Sequence, residues 1–259
     1  MTTATGSSLT QTLVLGKRAL REIQRTPEAL FPTLFIPLFF LVVNVGQAGK
    51  IFPSKETPFL HGQNYGAFQL PSSLLLAASF GIASQFLVEE IEGGYFDKLR
   101  AAPVARSALV LGRLVAEFVK GLGIAVVILL LALPLGIRVA SGPVGILLIM
   151  LLTALWSVVY TGLMMLIALK TRSAAATQSG GLLFFPLLFC TPNFVPRNLL
   201  TRPMEIAATY NPVTYGREGL RSLILQDIHW AVVGKGFAVV AVLGVIMLAL
   251  SVKIINSYD

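Results

Sequence analysis

Long apolar runs, separated by short polar segments, divide the chain into blocks of membrane-spanning length. A helix needs about 20 mostly apolar residues to cross the hydrocarbon core of a bilayer. Six blocks meet or approach this length, at residues 30–45, 68–88, 108–137, 144–169, 180–195 and 230–252. The pattern predicts an all-α integral membrane protein with six transmembrane helices. No internal repeat or linker divides the blocks, so we predict one transmembrane domain over residues 1–259.

The N-terminal segment, residues 1–28, carries a mixed pattern before the first apolar block. Residues 1–11 are polar and small, which argues against a cleavable signal peptide. Apolar residues then alternate with cationic ones at helical spacing, which predicts an amphipathic interfacial helix on the cytoplasmic leaflet. The alternative is a solvated basic helix packed on a partner. The apolar positions are Leu9, Leu13, Val14, Leu20 and Ile23, and the cationic ones are Lys17, Arg18, Arg21 and Arg25.

Composition and charge support a membrane protein. Hydrophobic residues make up 55% of the chain, charged residues only 12%, and the net charge is +8. The cations flank the apolar blocks instead of forming one basic face, so we expect membrane lipid as a partner and no nucleic acid. The single cysteine, Cys190, lies in an apolar run and predicts neither an intrachain disulfide nor a metal site.

The distribution of Lys and Arg predicts the orientation of the six spans. With the N-terminus inside, twelve cations lie on the cytoplasmic side and eight on the opposite side. This excess, together with an even number of spans, predicts a multi-pass protein with both termini in the cytoplasm.

Residues 89–106, between the second and third predicted spans, begin with acids, continue through a Gly pair and end with bases. This order suits the dipole of a short helix on the cytoplasmic surface. With Tyr95, Phe96 and Leu99 as apolar contacts, such a helix has the features of a docking element for a soluble partner. The alternative is an ordinary charged loop that caps a membrane helix.

Two further segments interrupt the apolar pattern. Arg113, Glu117 and Lys120 are spaced i, i+4 and i+7, and so share one face of the third predicted span. They form either a structural ion-pair network or a face that transmits motion or guards a pathway. Residues 196–227 hold prolines and charges between two apolar blocks, and the simplest interpretation is an extended external loop.

The run from Glu90 to Arg106, with the pattern E-x-E-G-x-x-F-D-x-L-R-x-x-P-V-x-R, resembles the signature loop of ABC-2 type transporter permeases. It is most similar to the daunorubicin-resistance-like branch of drug and lipid exporters. Asn211-Pro212-Val213-Thr214-Tyr215, followed by Glu218 and Arg221, resembles a second stretch of that family before its last span. The similarity extends from about Leu13 to Ile255.

The resemblance implies a half-transporter in a bacterial or archaeal inner membrane. Two permeases, identical or homologous, pair above two separate ABC ATPase subunits that bind ATP and Mg and drive export of a drug, lipid or glycolipid. The chain contains no G-x-x-x-x-G-K-[ST] phosphate loop. We therefore expect a permease that is not itself an enzyme, with no catalytic residue, metal or cofactor of its own.

The resemblance also assigns roles to residues. The coupling helix, which contacts the ATPase, would use Glu90, Glu92, Gly93, Phe96, Asp97, Leu99 and Arg100. Residues 196–227 would form a re-entrant hairpin that closes the extracellular exit, with a gate at Asn211, Pro212, Tyr215, Glu218 and Arg221. The substrate path would include Ser72, Ser79, Phe80, Phe184, Phe185 and Asn193.

Other functions are open from the sequence. Within the same family, the cargo could be a polysaccharide or glycolipid. An intramembrane enzyme that acts on lipids requires a nucleophile or acid–base pair, and no such motif is present. A secondary transporter is typically built from inverted repeats with midplane acids, whereas the one deep acid here, Glu117, lies beside two cations.

Overall fold

The computed structural model describes residues 7–257, and this range contains α-helices and short 3-10 turns without a β-strand. The all-α fold is confirmed. The helices are α1 Ser8–Gln24, α2 Pro27–Ala48, α3 Tyr65–Ala78, α4 Ile82–Glu92, α5 Tyr95–Ala101, α6 Arg106–Ala132, α7 Gly142–Thr171, α8 Ala174–Leu182, α9 Phe184–Phe189, α10 Arg202–Tyr210, α11 Pro212–Leu225 and α12 Trp230–Asn256.

Five of the predicted spans correspond to helical segments that are long and apolar enough to cross a membrane. They are α2, α3 with α4, α6 with the turn that follows it, α7 and α12. The block predicted at 180–195 differs, because it folds as the shorter apolar pair α8 and α9 over Ala174–Phe189. Leu183 separates the two helices, and Pro186, which has no N–H to donate to the carbonyl of Leu182, weakens the helix at this point.

The second span is also interrupted. The block predicted at 68–88 is two helices, because α3 ends at Ala78 and α4 begins at Ile82. The intervening residues, Ser79 to Gly81, lie in the middle of an apolar segment that is mostly buried inside the protein.

The segment predicted as one coupling helix at 89–106 is divided. Its acids Glu89, Glu90 and Glu92 form the last turn of α4, and the short helix is α5 alone. Gly94 separates the two with a φ of 69°, a left-handed conformation that glycine adopts without steric cost. The acids therefore do not lie at the N-terminus of the short helix.

The N-terminal helix packs against α6. Gly16, Ala19 and Ile23 of α1 are buried on this side, and Gln11 accepts a 3.0 Å hydrogen bond from the backbone N–H of Ala105. The predicted apolar face is consequently split, because Ile23 faces the protein whereas Leu9, Leu13 and Val14 are exposed. Residues 1–6 of the predicted interfacial segment lie outside the described residues.

Residues 196–227 fold as a helical hairpin and not as an extended loop. The two helices, α10 and α11, meet at Asn211, whose side chain accepts a hydrogen bond from the backbone N–H of Val213 and so caps α11. Most of α11 is buried, and it packs on α3, α7 and α12. Helix α11 is therefore part of the protein core, whereas α10 is mostly exposed.

Gly112 tests the packing of α1 on α6. A Cβ atom at Gly112 would lie 2.9 Å from the backbone nitrogen of Gly16, which cannot move without shifting α1. We expect Gly112→Ala to lower the free energy of unfolding by about 1–3 kcal/mol through overpacking. Thermal unfolding of the purified chain in detergent measures this change.

Gly123→Ala is the matched control, because a Cβ at Gly123 meets nothing within 4 Å. This variant should unfold at the parent temperature or slightly above it, since Ala is the better helix former. Equal unfolding temperatures for the two variants would contradict the packing of α1 described above.

Candidate functional site

The interruption between α3 and α4 is the first component of the candidate site. A helix end has unpaired backbone N–H and C=O groups, and within a membrane span these groups have no water to bind. Their partners must therefore come from neighbouring helices. Two charged side chains of α6 supply them.

Glu117 and Lys120 cap the two helix ends. A Glu117 oxygen, Oε1, accepts a 2.7 Å hydrogen bond from the backbone N–H of Ala83 at the start of α4. The Lys120 ammonium donates to the carbonyl of Phe80, just beyond the end of α3. An acid at a helix N-terminus and a base at a helix C-terminus both complement the helix dipole.

The same two side chains form an ion pair with each other. Both are buried, and the Glu117 side chain has no exposed surface. The hydroxyl of Ser157 on α7 donates to the second Glu117 oxygen at 3.1 Å. Every charge in this cap therefore has a partner, as buried ions require.

Arg113, the third charged residue predicted on this face, has a different partner. It pairs with Glu90 of α4 and donates to the carbonyl of Ala83 at 3.3 Å. Glu90 also pairs with Arg18 of α1, whose guanidinium lies 5.2 Å from the ring centre of Tyr95 on α5. A continuous series of polar contacts thus connects α5 to the interruption in the second span.

Two neighbouring cavities lie beside the interruption. The first cavity, about 150 Å³, is formed by α3, α4, α7, α8 and α9. The second cavity, about 300 Å³, is formed by α2, α3, α9 and the segment after α9. Leu76 and Phe185 line both cavities, so the two adjoin.

The six residues predicted to line a substrate path all lie in the walls of these cavities. Ser79, Phe80, Phe184 and Phe185 line the first cavity, and Ser72, Phe185 and Asn193 line the second. The lining combines aromatic rings with uncharged polar groups. Such a surface suits a mostly apolar ligand with a few polar atoms.

The second cavity borders an irregular segment, residues 190–195, whose backbone carbonyls are bound by side chains. Asn211 donates to the carbonyls of Leu187 and Cys190 at 2.6 and 3.3 Å. Arg221 donates to the carbonyl of Pro192 at 2.9 Å. The segment needs these donors because irregular backbone inside a membrane protein must be satisfied by the protein itself.

Further donors reach the same segment from α11 and α3. Arg217 binds the hydroxyl oxygen of Thr191 at 2.7 Å and the carbonyl of Asn193 at 2.6 Å. Gln69 and Tyr65 of α3 donate to the carbonyls of Asn193 and Phe194 at 3.1 and 2.9 Å, respectively. The sequence interpretation did not single out Arg217, although it lies one helical turn before Arg221.

Comparison with known protein families decides the identity of the chain. The sequence model of the family described as ABC-2 type transporter matches residues 10–225. The chain is an ABC-2 type transporter permease. No curated protein sequence matches it. The family makes the chain the membrane component of an ABC transporter, which implies association with ABC ATPase partners.

The permease places its seven predicted coupling residues in different environments. Glu90 is held in ion pairs, and Phe96 is buried in the same apolar cluster as Leu87 and Leu109. Glu92 accepts a 2.7 Å hydrogen bond from the backbone N–H of Ala174, which starts α8. These three residues thus make contacts within the permease itself.

The other predicted coupling residues, like Glu92 itself, lie at or near the surface. Gly93 and Asp97 are exposed, whereas Leu99 and Arg100 are half-buried. Arg100 pairs with Asp97 at 3.2 Å, and Tyr95 is exposed beside them. The exposed surface of α5 is therefore formed mainly by Tyr95, Asp97 and Lys98.

The predicted gate residues of the permease lie on α11 and its N-terminal cap, from Asn211 to Arg221. Pro212 occupies the first helical position after the Asn211 cap, where a missing N–H costs nothing. Tyr215 donates to the carbonyl of Thr209 at 2.8 Å, and Glu218 pairs with Arg197 at 3.2 Å. These contacts fix α11 to α10 and to the turn before it.

The cap of the interrupted span provides a stability test. Glu117→Gln leaves the buried Lys120 ammonium without its counter-charge, so we expect the free energy of unfolding to fall by about 3–5 kcal/mol. Adding Lys120→Met removes the uncompensated charge and should recover most of this loss. Chemical unfolding of the purified permease measures all three proteins.

Glu205→Gln is the control, because it removes an exposed ion pair with Arg202. That change should cost less than about 1 kcal/mol. A Glu117→Gln protein as stable as this control would show that the Glu117–Lys120 pair does not hold the span.

Proposed function

We propose that this permease is the membrane subunit of an ATP-driven exporter that moves a hydrophobic or amphiphilic substrate out of the cytoplasm or the inner leaflet. The observation that carries the proposal is the pair of adjoining cavities at the capped interruption of the second span. Their aromatic and uncharged polar lining suits a drug, lipid or glycolipid, as expected of the daunorubicin-resistance-like branch.

ATP hydrolysis by the partner subunits acts on the permease through α5. Two ABC ATPase subunits, each with its own ATP and Mg, dock on the α5 surfaces of two permeases. Movement of α5 acts on Tyr95 and Arg18, and then on the Glu90–Arg113 ion pair. Arg113 also binds the carbonyl of Ala83, at the edge of the first cavity. The contacts support a mechanical connection between ATP hydrolysis and the shape of the cavities.

The substrate leaves past the hairpin of α10 and α11. This hairpin re-enters the outer leaflet, and its helix α11 holds residues 190–195 against the second cavity through Asn211, Arg217 and Arg221. Release of these bonds opens the exit. The burial of α11 inside the protein supports a gate more than it supports a surface loop.

A second permease, identical or homologous, completes the transporter. The exposed, stacked rings of Phe31, Phe35 and Phe39 on α2 face this partner or lipid. Both termini are cytoplasmic in this arrangement, because Arg106, next to α5, donates to the carbonyl of Asn256 at the end of α12 at 3.1 Å. Helix α1 lies at the inner surface of a bacterial or archaeal cell membrane.

Asp97 tests the docking surface. Its side chain is 72% exposed, and reversal of its charge does not disturb the core. We expect Asp97→Arg to abolish co-purification of the ATPase while the permease keeps its parent unfolding temperature. Glu205→Arg, a reversal on the hairpin, is the control and should retain the ATPase. Normal ATPase association in the Asp97→Arg protein would show that docking occurs elsewhere.

The transport function is tested by isolating the permease from native membranes in mild detergent. We expect an ATPase subunit in equal amount, and ATP turnover that rises severalfold with added lipophilic compounds. Turnover should fall toward the basal rate in the Phe185→Ala protein, since Phe185 lines both cavities. A permease that purifies alone, without attached ATPase activity, would contradict the proposal.

A further inference from the structure

Two arginines of α11 are buried without a carboxylate. Arg217 has no exposed surface and Arg221 is 8% exposed. Among residues 7–257, no Asp or Glu forms an ion pair with either guanidinium. Glu218, the acid between them in sequence, pairs instead with Arg197. The two charges are spaced i, i+4, so they add to each other on one face of the helix.

The hydrogen bonds of these arginines end on neutral acceptors. Arg217 binds Thr191 and Asn193, and Arg221 binds Pro192. Arg221 also lies 3.6 Å from the ring centre of Phe68. The Nε atoms of both arginines have no hydrogen-bond partner in the protein. The two guanidinium groups therefore have no ion-pair partner among residues 7–257, and Glu218, which attracts both of them, is shared with Arg197.

These charges lie directly behind one wall of the second cavity. Arg217 donates to the carbonyl of Asn193, and the Asn193 residue lines the cavity. Arg221 donates to the carbonyl of Pro192, the residue before Asn193. Buried charges act over longer distances than exposed ones because the interior screens them less.

The cavity itself supplies no opposing charge. Its polar lining residues are all neutral: Asn44, Gln47, Gln69, Ser72, Ser73 and Asn193. Its remaining lining is apolar and largely aromatic. A cleft with low-dielectric walls and charge of one sign attracts ligands of the opposite sign. The Gln69 amide nitrogen already donates to Tyr65 and Asn193, but the side-chain amides of Asn44 and Gln47 on α2 can donate hydrogen bonds to an anionic group.

We propose that the second cavity selects the polar end of the cargo by charge and takes amphiphiles that end in a carboxylate or phosphate. The cargo's apolar tail then extends toward Leu76 and Phe185, where the first cavity begins. Amphiphiles with a cationic end are disfavoured. This proposal rests on the proposed function, of which it specifies the substrate class.

A single tryptophan reports binding without the ATPase. The chain has two tryptophans, so Trp230→Phe leaves Trp156 alone. The Trp156 indole donates to the hydroxyl of Ser79, in the wall of the first cavity, at 2.9 Å. A bromine at the end of a bound tail quenches its fluorescence. The probes are ω-bromododecanoate and ω-bromododecyltrimethylammonium, whose tails are identical.

The experiment compares the quenching of Trp156 by the two probes in nanodiscs of neutral phosphatidylcholine, at a pH well above the carboxylate pKa. We expect the carboxylate to quench half of the signal at a concentration roughly tenfold lower than the ammonium, which corresponds to about 1.4 kcal/mol. Arg221→Gln should reduce this preference severalfold, whereas Arg221→Lys should keep it because the charge remains.

Arg202→Gln is the matched control, because Arg202 is an exposed arginine of the same hairpin and should leave the preference intact. Equal quenching by both probes in the parent overturns the proposal, as does an unchanged preference in Arg221→Gln. If the permease shows the preference but no ATPase accompanies it, the charge selection stands and the exporter function fails. The two failures are thus distinguishable.

Discussion

A membrane-spanning helix that stops inside the bilayer needs partners for its free backbone groups, and the structure of this permease depends on how that need is met. Glu117 and Lys120 of α6 supply a carboxylate to the start of α4 and an ammonium to the end of α3. Each neutralises the other, so two charges are buried without a net charge. The interruption that they hold forms part of the wall of the first cavity.

A second set of polar contacts satisfies the free backbone groups of the segment after α9. Residues 190–195 are irregular, and their carbonyls are satisfied from α3 and α11 by neutral amides, a phenol and two arginines. The two sets of contacts differ in net charge. The α6 cap is neutral, whereas the α11 donors leave a positive site beside the second cavity. In both cases the irregular backbone borders a cavity and is satisfied by the protein, as irregular backbone in membrane proteins requires.

Hydropathy predicted the long spans because lipid imposes one length and one composition on all of them. It could not predict the interruption at Ser79 to Gly81, since the sequence remains apolar there and the cap comes from α6. The helical spacing of Arg113, Glu117 and Lys120 placed them on one face, but the partner of Arg113 is on α4. The spacing of residues on one helix shows which of them share a face, but not which helix supplies their partners.

Motif similarity and structure identified different parts of the site. The resemblance pointed to Arg221 and to residues 89–106, but it did not include Arg217, whose importance follows only from its burial and its carbonyl partners. The shortened helices α8 and α9 were missed because the apolar run continues past Phe189. Pro186 does not signal the break by itself, because Pro37 and Pro71 lie inside continuous helices. The sequence alone thus located the elements of the site but not their contacts.

Hydrogen exchange at the interrupted span tests the central role of the α6 cap most directly. The measurement compares the parent permease in nanodiscs with a Glu117→Leu/Lys120→Met protein, in which both charges are replaced together. We expect the amides of residues 80–84 to exchange much faster in the variant, because Ala83 loses its carboxylate acceptor, while those of α12 keep the parent rate. Unchanged exchange at residues 80–84 would contradict the account, since the interruption would then be held without the cap.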